Sequence, residues 1–445
     1  MDRSFFNEPN DHCVTRLIQT AESRTIIVTE DIYDQRGVKL LARGHAINGS
    51  IREKLLARTL KKPLEGSLAA DDGLRSEQIG VLAQQVLAEH STIAQLAGSH
   101  QARIIQLLSA QHLTGPTQLL MTATATGDPG GLRHAVVTAI ICASLALHLR
   151  LTETVVAGAV TSGLFHDLGE FYVDPGALGN ERDLNFEQWK KVAVHPRIGA
   201  LLLSELSGYP AFISRAVLEH HERLDGSGYP GGVSGGATSE LGQILMVAEV
   251  LAAVLPRRQN PQASALLAMR LVPGQFASQL IAVLTSVFDE RADSAPAALD
   301  LAGLKTAAND IDTRLRSCSV EARRLCGERN LSDPQKLLAE QARELCARLI
   351  ASLHSTGVMP LLDQASAADT ADPTIALELQ VVTMELKWRM RALARHIALA
   401  ANIGDHSESA LGPLVTKLYG SASLCSSGGD DDPHAKQRSD SRAAA

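Results

Sequence analysis

The spacing of hydrophobic and polar residues changes character early in this chain. Short apolar runs at 26–33 and 38–41 flank Asp34-Gln35-Arg36-Gly37, a turn signal, and predict a strand–turn–strand unit. A helix over 51–60 follows, with Asn48 or Ser50 placed to cap it. From Ser76 the period is helical: Ile79, Leu82, Val86, Leu87, Ile93, Leu96, Ile104, Leu107 and Leu108 recur at intervals of three and four. Gly127-Asp128-Pro129-Gly130-Gly131 breaks the pattern, and nearly pure helix resumes. Helices are predicted over 132–150, from Thr152 as cap to Phe165 with Gly169 as a left-handed stop, and over 186–194 and 198–206. A further helix leads into Val217–Pro230, written VLEHHERLDGSGYP, whose glycines and Pro230 turn the chain out of helix. Beyond it come 244–255, 261–271, 276–287, 304–326, 334–355 and 375–403. In the last of these Ile375, Leu379, Val382, Leu386, Leu393 and Ile397 approach heptad spacing, which suits a dimer seam or, more simply, packing on a neighbouring helix.

These periods divide the chain into a flexible lead (1–15), a small α+β unit (15–66), a helical connector (67–115), a main helical domain (116–290), a C-terminal helical region (291–404) and a disordered polar tail (405–445). The fold class is mainly α. The α+β unit carries no chemical constellation and reads as a regulatory module or a packing appendage.

Composition narrows the picture. The 445 residues are 45% hydrophobic and 20% charged, which suits a globular protein, and the 3% aromatic content calls for an aliphatic core. A net charge of −7 lends no support to binding of nucleic-acid polymers. Six scattered cysteines without CxxC spacing suit a reducing compartment. The first residues, MDRSFFNEPNDH, are unlike a signal peptide, and the longest apolar runs fall short of the about 20 residues of a membrane span. A cytoplasmic protein is expected.

The candidate chemistry is concentrated. Six of fifteen histidines lie between positions 134 and 221, and five of them, His134, His166, His195, His220 and His221, fall at predicted helix ends or starts. With Asp167 and Glu249 they make seven nitrogen or oxygen ligands and no thiolate, a set suited to Fe, Mn, Co or Zn and large enough for two ions. Asp167 is the natural bridge, because its two oxygens can face two ions. Such a pair can hold a bridging hydroxide and clamp a phosphate, which points to phosphate-ester hydrolysis. His148 lies deeper in an apolar helix and reads as packing. So do His90, His100 and His112, which lack acidic or cysteine partners at ligand spacing.

Residues 116–287 resemble the HD-GYP family, a branch of the HD metal-dependent phosphohydrolases. His166-Asp167 matches its HD pair, and the string from His220 to Pro230 matches its HHExxDGxGYP signature. His134, His195, His220 and His221 fall where the family places its other histidine ligands. The resemblance implies an all-helical HD-type core holding two or three divalent ions, often iron, that hydrolyses the bacterial second messenger cyclic di-GMP to pGpG or GMP. His166 and Asp167 then carry the catalytic role, and Glu170, Arg258, Gly228 and Tyr229 line the substrate. Four features depart from the pattern. Glu170 stands where the family has a phosphate-binding lysine, and Glu249 where it has aspartate. Gly130 replaces the glutamate of three-metal members, which favours two ions, Fe or Mn. Gln259-Asn260-Pro261 replaces most of an RPYR-like segment after Arg258. The alternative reading is a catalytically weak scaffold that engages GGDEF-domain proteins through the GYP loop.

Overall fold

The computed structural model describes residues 5–179, 186–256, 260–288, 301–355, 373–401 and 409–420. Helices dominate throughout, as the 3.6-residue period requires. Among the described residues strands occur only near the N-terminus, where Ile26–Val28 pairs antiparallel with Leu68–Ala70 and Ile32–Tyr33 with Lys39–Leu41. The turn at Asp34–Gly37 forms as expected: the Asp34 carboxylate accepts from the N–H groups of Arg36 and Val38, and Gly37 takes a φ of 80°. The strand at 68–70 falls at the start of the stretch read as a helical connector, so the N-terminal unit extends past residue 66.

Two expected loose ends are ordered. Residues 11–21 form a helix capped by the Asn10 side chain, which accepts from the Cys13 N–H, and Cys13, Val14, Leu17 and Ile18 are buried on its inner face. The lead therefore belongs to the core from Phe6 onward. At the other end Gly412–Tyr419 is a helix whose Leu414, Val415 and Leu418 are buried, each side chain contributing about 1.5–3 kcal/mol of burial. The polar stretch after it had masked this short amphipathic segment; residues 421–445 lie outside the described ones.

One hydrophobic core gathers residues from Phe6 to Phe288, so the α+β unit packs directly on the helical domain; a small separate cluster surrounds Trp189. At its centre Pro129–His148 lies against Glu153–Phe165. The first of these begins at Pro129, earlier than the glycines suggest, because Asp128 accepts from the Gly131 N–H and proline fits the first turn. The two backbones touch at Gly163, where a Cβ would lie 2.7 Å from the Ala139 Cα. Among the described helices Pro129–His148 alone is long and apolar enough to cross a membrane, and 83% of its apolar window is buried inside the protein.

The C-terminal helices Leu301–Cys326, Asp333–Ser355, Pro373–Ala400 and Gly412–Tyr419 build a second core. Val382, Leu386, Leu393 and Ile397 are buried in it, so the heptad-like face of Pro373–Ala400 is covered by the chain's own helices.

Candidate metal centre

The last carbonyls of an α-helix have no partner within the helix. This chain answers three of them with imidazoles. His166, after Glu153–Phe165, directs Nδ1 at the Gly163 carbonyl (2.8 Å). His195, after Phe186–Val192, directs Nδ1 at Val192 O (2.9 Å), and His220, after Ala211–Glu219, directs Nδ1 at Val217 O (2.6 Å). A carbonyl can only accept, so Nδ1 carries the proton in each ring and Nε2 is left with a lone pair. All three Nε2 atoms point to one place. His195 Nε2 and His220 Nε2 face each other at 3.2 Å, an arrangement that requires a cation or a proton between them.

Asp167 lies at the centre. Its Oδ2 is 3.2 Å from His166 Nε2 and 3.9 Å from His134 Nε2, while its Oδ1 is 3.5 Å from His195 Nε2 and 3.7 Å from His220 Nε2. Glu249, on the buried helix Glu240–Val254, brings Oε2 within 3.1 Å of His134 Nε2 and 3.0 Å of His166 Nε2. Two groups result, His134–His166–Asp167 with Glu249 beside it and Asp167–His195–His220–His221. Within each of the two groups that share Asp167 the ligand atoms lie within 4.8 Å of one another. The structure thus brings together all seven side chains that the sequence singled out.

Electrostatics within the cluster are opposed and strong. Burial pushes His220 down to about 3, with neighbouring histidines adding to the effect, and pushes His221 down as well. Burial also acts to lower His166, but the Asp167 and Glu249 carboxylates outweigh it and the net direction is up. Burial works to raise Asp167 and Glu249, yet the surrounding imidazoles hold both well below the ordinary carboxylate range. A buried set of imidazole nitrogens around two ionised carboxylates, with His166 Nε2 held 3.2 Å from Asp167 Oδ2 and 3.0 Å from Glu249 Oε2, is a donor set that fits divalent cations.

Neighbouring segments hold this geometry. Gly169 is not a left-handed stop. A Cβ there would lie 2.0 Å from the His195 carbonyl, so glycine permits the 3-10 turn Leu168–Tyr172 to lie against the His195 helix. Glu219, the last residue of the His220 helix, accepts from the Ser239 N–H and Oγ, and Ser239 Oγ caps the Glu249 helix by accepting from the Gly242 N–H. Glu222 accepts from the N–H groups of Gly231 and Val233 and thereby ties the glycine-rich loop to the histidine pair. Gly228 is buried so close that a Cβ would lie 2.3 Å from the Glu222 Cα. Tyr229 stacks on His221, with centroids 4.6 Å apart and planes 20° apart, and its other neighbour is Trp189.

A cavity of about 120 Å³ opens on the cluster. His134, Asp167, His195, His221 and Glu249 line it, as do Glu170, Gly228 and Tyr229. Arg258 lies outside the described residues. Part of the lining escaped the sequence reading: Arg223 and Trp189, and Trp388, Ala392 and Arg395 from the helix Pro373–Ala400. Burial and the nearby Arg389 push the Arg223 guanidinium down to about 10. One signal was available: the chain has only two tryptophans, and both line this cavity.

The comparisons with known proteins agree with the site. The family described as HD domain matches residues 94–276, beginning inside the stretch read as a connector. The chain is 30% identical over 161 residues to cyclic di-GMP phosphodiesterase PA4108 of Pseudomonas aeruginosa, which covers 36% of this chain and 39% of the relative. It is 33% identical over 120 residues to the cyclic di-GMP phosphodiesterase response regulator RpfG of Xanthomonas campestris, covering 27% and 32%. It is 32% identical over 97 residues to 3'3'-cGAMP-specific phosphodiesterase 3 of Vibrio cholerae, covering 22% and 21%. The matched segment thus spans less than two fifths of each of these relatives.

Proposed function

We propose that this chain, whose residues 94–276 match the HD domain family and resemble cyclic di-GMP phosphodiesterases, is an HD-GYP member that hydrolyses a phosphodiester bond of cyclic di-GMP to give pGpG, GMP or both. The observation that supports this most is the double cluster sharing Asp167, open to a cavity. His134, His166, Asp167 and Glu249 would hold one divalent ion, and Asp167, His195, His220 and His221 the other, with the all nitrogen and oxygen donor set suiting Fe or Mn. When bound, the ions supply a water of lowered pKa and a clamp on the phosphate.

The remaining work falls to the chain itself. Its helix-end imidazoles keep their protons on Nδ1, tied to carbonyls, so Nε2 stays a lone-pair donor and these rings do not shuttle protons. Asp167 sets the separation of the two groups through its two oxygens. Gly228 and Tyr229 wall the cavity beside His221, and Tyr229 restricts how a substrate approaches it. The family's cGAMP-named relatives make base selection an open choice for this wall. Incubation of anaerobically prepared, metal-loaded protein with cyclic di-GMP and 3'3'-cGAMP in parallel, followed by chromatography of the products, tests the reading. Linear pGpG or GMP from cyclic di-GMP is expected. An intact cyclic di-GMP pool with metal-loaded protein would overturn it.

A further inference from the structure

Beyond the candidate metal ligands, the cavity is lined by a buried guanidinium and an indole. Arg223 is 5% exposed and lies between two rings, its guanidinium carbon 5.2 Å from the Phe276 centroid and 5.5 Å from the Trp388 centroid. One of its nitrogens donates to the Glu222 carbonyl (2.6 Å), but Nε has no hydrogen-bond partner and no carboxylate forms an ion pair with it among the described residues. Arg389, its neighbour, is different. That guanidinium is paired with Glu385 at 2.6 Å and donates to Gln275 Oε1 and to the Ala268 carbonyl, both at 2.8 Å. Arg389 therefore fastens the helix Pro373–Ala400 to the HD domain, while Arg223 is a buried cation with no carboxylate at ion-pair distance among the described residues, Asp225 and Glu249 acting on it only from farther away. Buried charges are ordinarily paired, and Arg223 faces the cavity that contains the metal cluster.

Trp388, Ala392 and Arg395 stand at i, i+4 and i+7, one face of the helix, and all three line the same cavity. This helix lies beyond the segment matched by the HD family. A planar guanidinium matches a phosphate through paired N–H donors, and an indole offers a stacking face to a purine.

We propose that Arg223 receives a phosphate of the cyclic dinucleotide and that Trp388, delivered by Pro373–Ala400, stacks against one of its bases, so that a helix outside the HD domain completes the substrate site. This assignment rests on the proposed phosphodiesterase activity. It also places a cation in the same cavity as the candidate metal ligands in a chain whose Glu170 occupies the lysine position.

The test uses the full chain, metal-loaded. Steady-state kinetics on cyclic di-GMP are compared for wild type, Trp388→Ala, Arg223→Gln and Arg223→Lys, with metal content measured for each. In parallel, cyclic di-GMP is titrated into Trp189→Phe, in which Trp388 is the remaining tryptophan and its fluorescence reports contact. The expected result is a KM raised tenfold or more in Trp388→Ala and Arg223→Gln, with kcat changed less than threefold, metal content unchanged, partial recovery in Arg223→Lys and a saturable fluorescence change. An unaltered KM in folded Trp388→Ala, together with flat fluorescence, overturns the proposal. A lowered KM does so too, since it would make the helix an obstacle. Should Arg223→Gln fail to fold, Trp388→Ala and the fluorescence titration decide. A wild type that cleaves bis(4-nitrophenyl) phosphate but leaves cyclic di-GMP intact and quenches no fluorescence would instead break the substrate reading, and this assignment with it.

Discussion

At the scale of single residues, the cluster depends on where protons and backbones sit. Three histidines follow helix C-termini by the same i to i−3 contact, and that local rule fixes their tautomers before any tertiary packing is considered. Their function was therefore legible in the sequence: helix-end histidines, the HD pair and the HHExxDGxGYP string mark the site without a structure. Gly169 was not. A glycine required for positive φ and one required for close approach look the same in a sequence, and only the 2.0 Å gap to the His195 carbonyl tells them apart. Glu170 is the residue whose charge opposes the proposed substrate. It lines the cavity, where a carboxylate repels a doubly anionic dinucleotide. Reversing one charge at roughly 5 Å is worth about 1–3 kcal/mol at an effective dielectric constant of roughly 40–80. Glu170→Lys is therefore expected to raise cyclic di-GMP affinity or turnover by around tenfold with metal content unchanged, as read from binding isotherms and initial rates. Unchanged binding and rate would remove Glu170 from the substrate path.

At the scale of elements, the N-terminal unit grips the segment that follows His166-Asp167. Arg16, on the first helix, donates to the carbonyls of Glu170 (3.0 Å) and Val173 (3.1 Å). From the same unit Glu65 accepts from the Tyr172 hydroxyl (2.8 Å), with the Cys13 thiol at 3.5 Å. Burial raises the Glu65 carboxyl above its ordinary 4.5, only partly offset by these donors. A carboxyl raised on folding binds its proton more tightly in the native state. Its favourable contribution is complete below about 4.5 and is lost as pH rises through the higher folded value. Glu65→Gln keeps an acceptor for Tyr172 and removes the titration. Relative to wild type it should gain stability as pH rises from about 4 toward neutrality, measured by urea unfolding at each pH. A constant difference across that range would mean that Glu65 does not titrate in the fold. None of this coupling was visible beforehand, because Glu65 and Tyr172 are 107 positions apart. The helices themselves were legible where periodicity was long. They were missed at 11–21 and 412–419, where polar neighbours diluted a short amphipathic face.

At the scale of the whole molecule, one hydrophobic core joins the N-terminal unit to the HD domain, and the C-terminal helices contribute to the lining of the cavity. The sequence showed those helices but not their destination, since local periodicity says which face is apolar and nothing about which distant surface the other face meets. All of these elements converge on Asp167, and the account stands on its sharing by two ions. The most direct test is the metal content of protein purified without oxygen, compared with a His166→Ala, Asp167→Ala double variant shown by circular dichroism to be folded. The account predicts about two ions per chain in the wild type and loss of most of them in the variant; an equal metal content in the two proteins would contradict it.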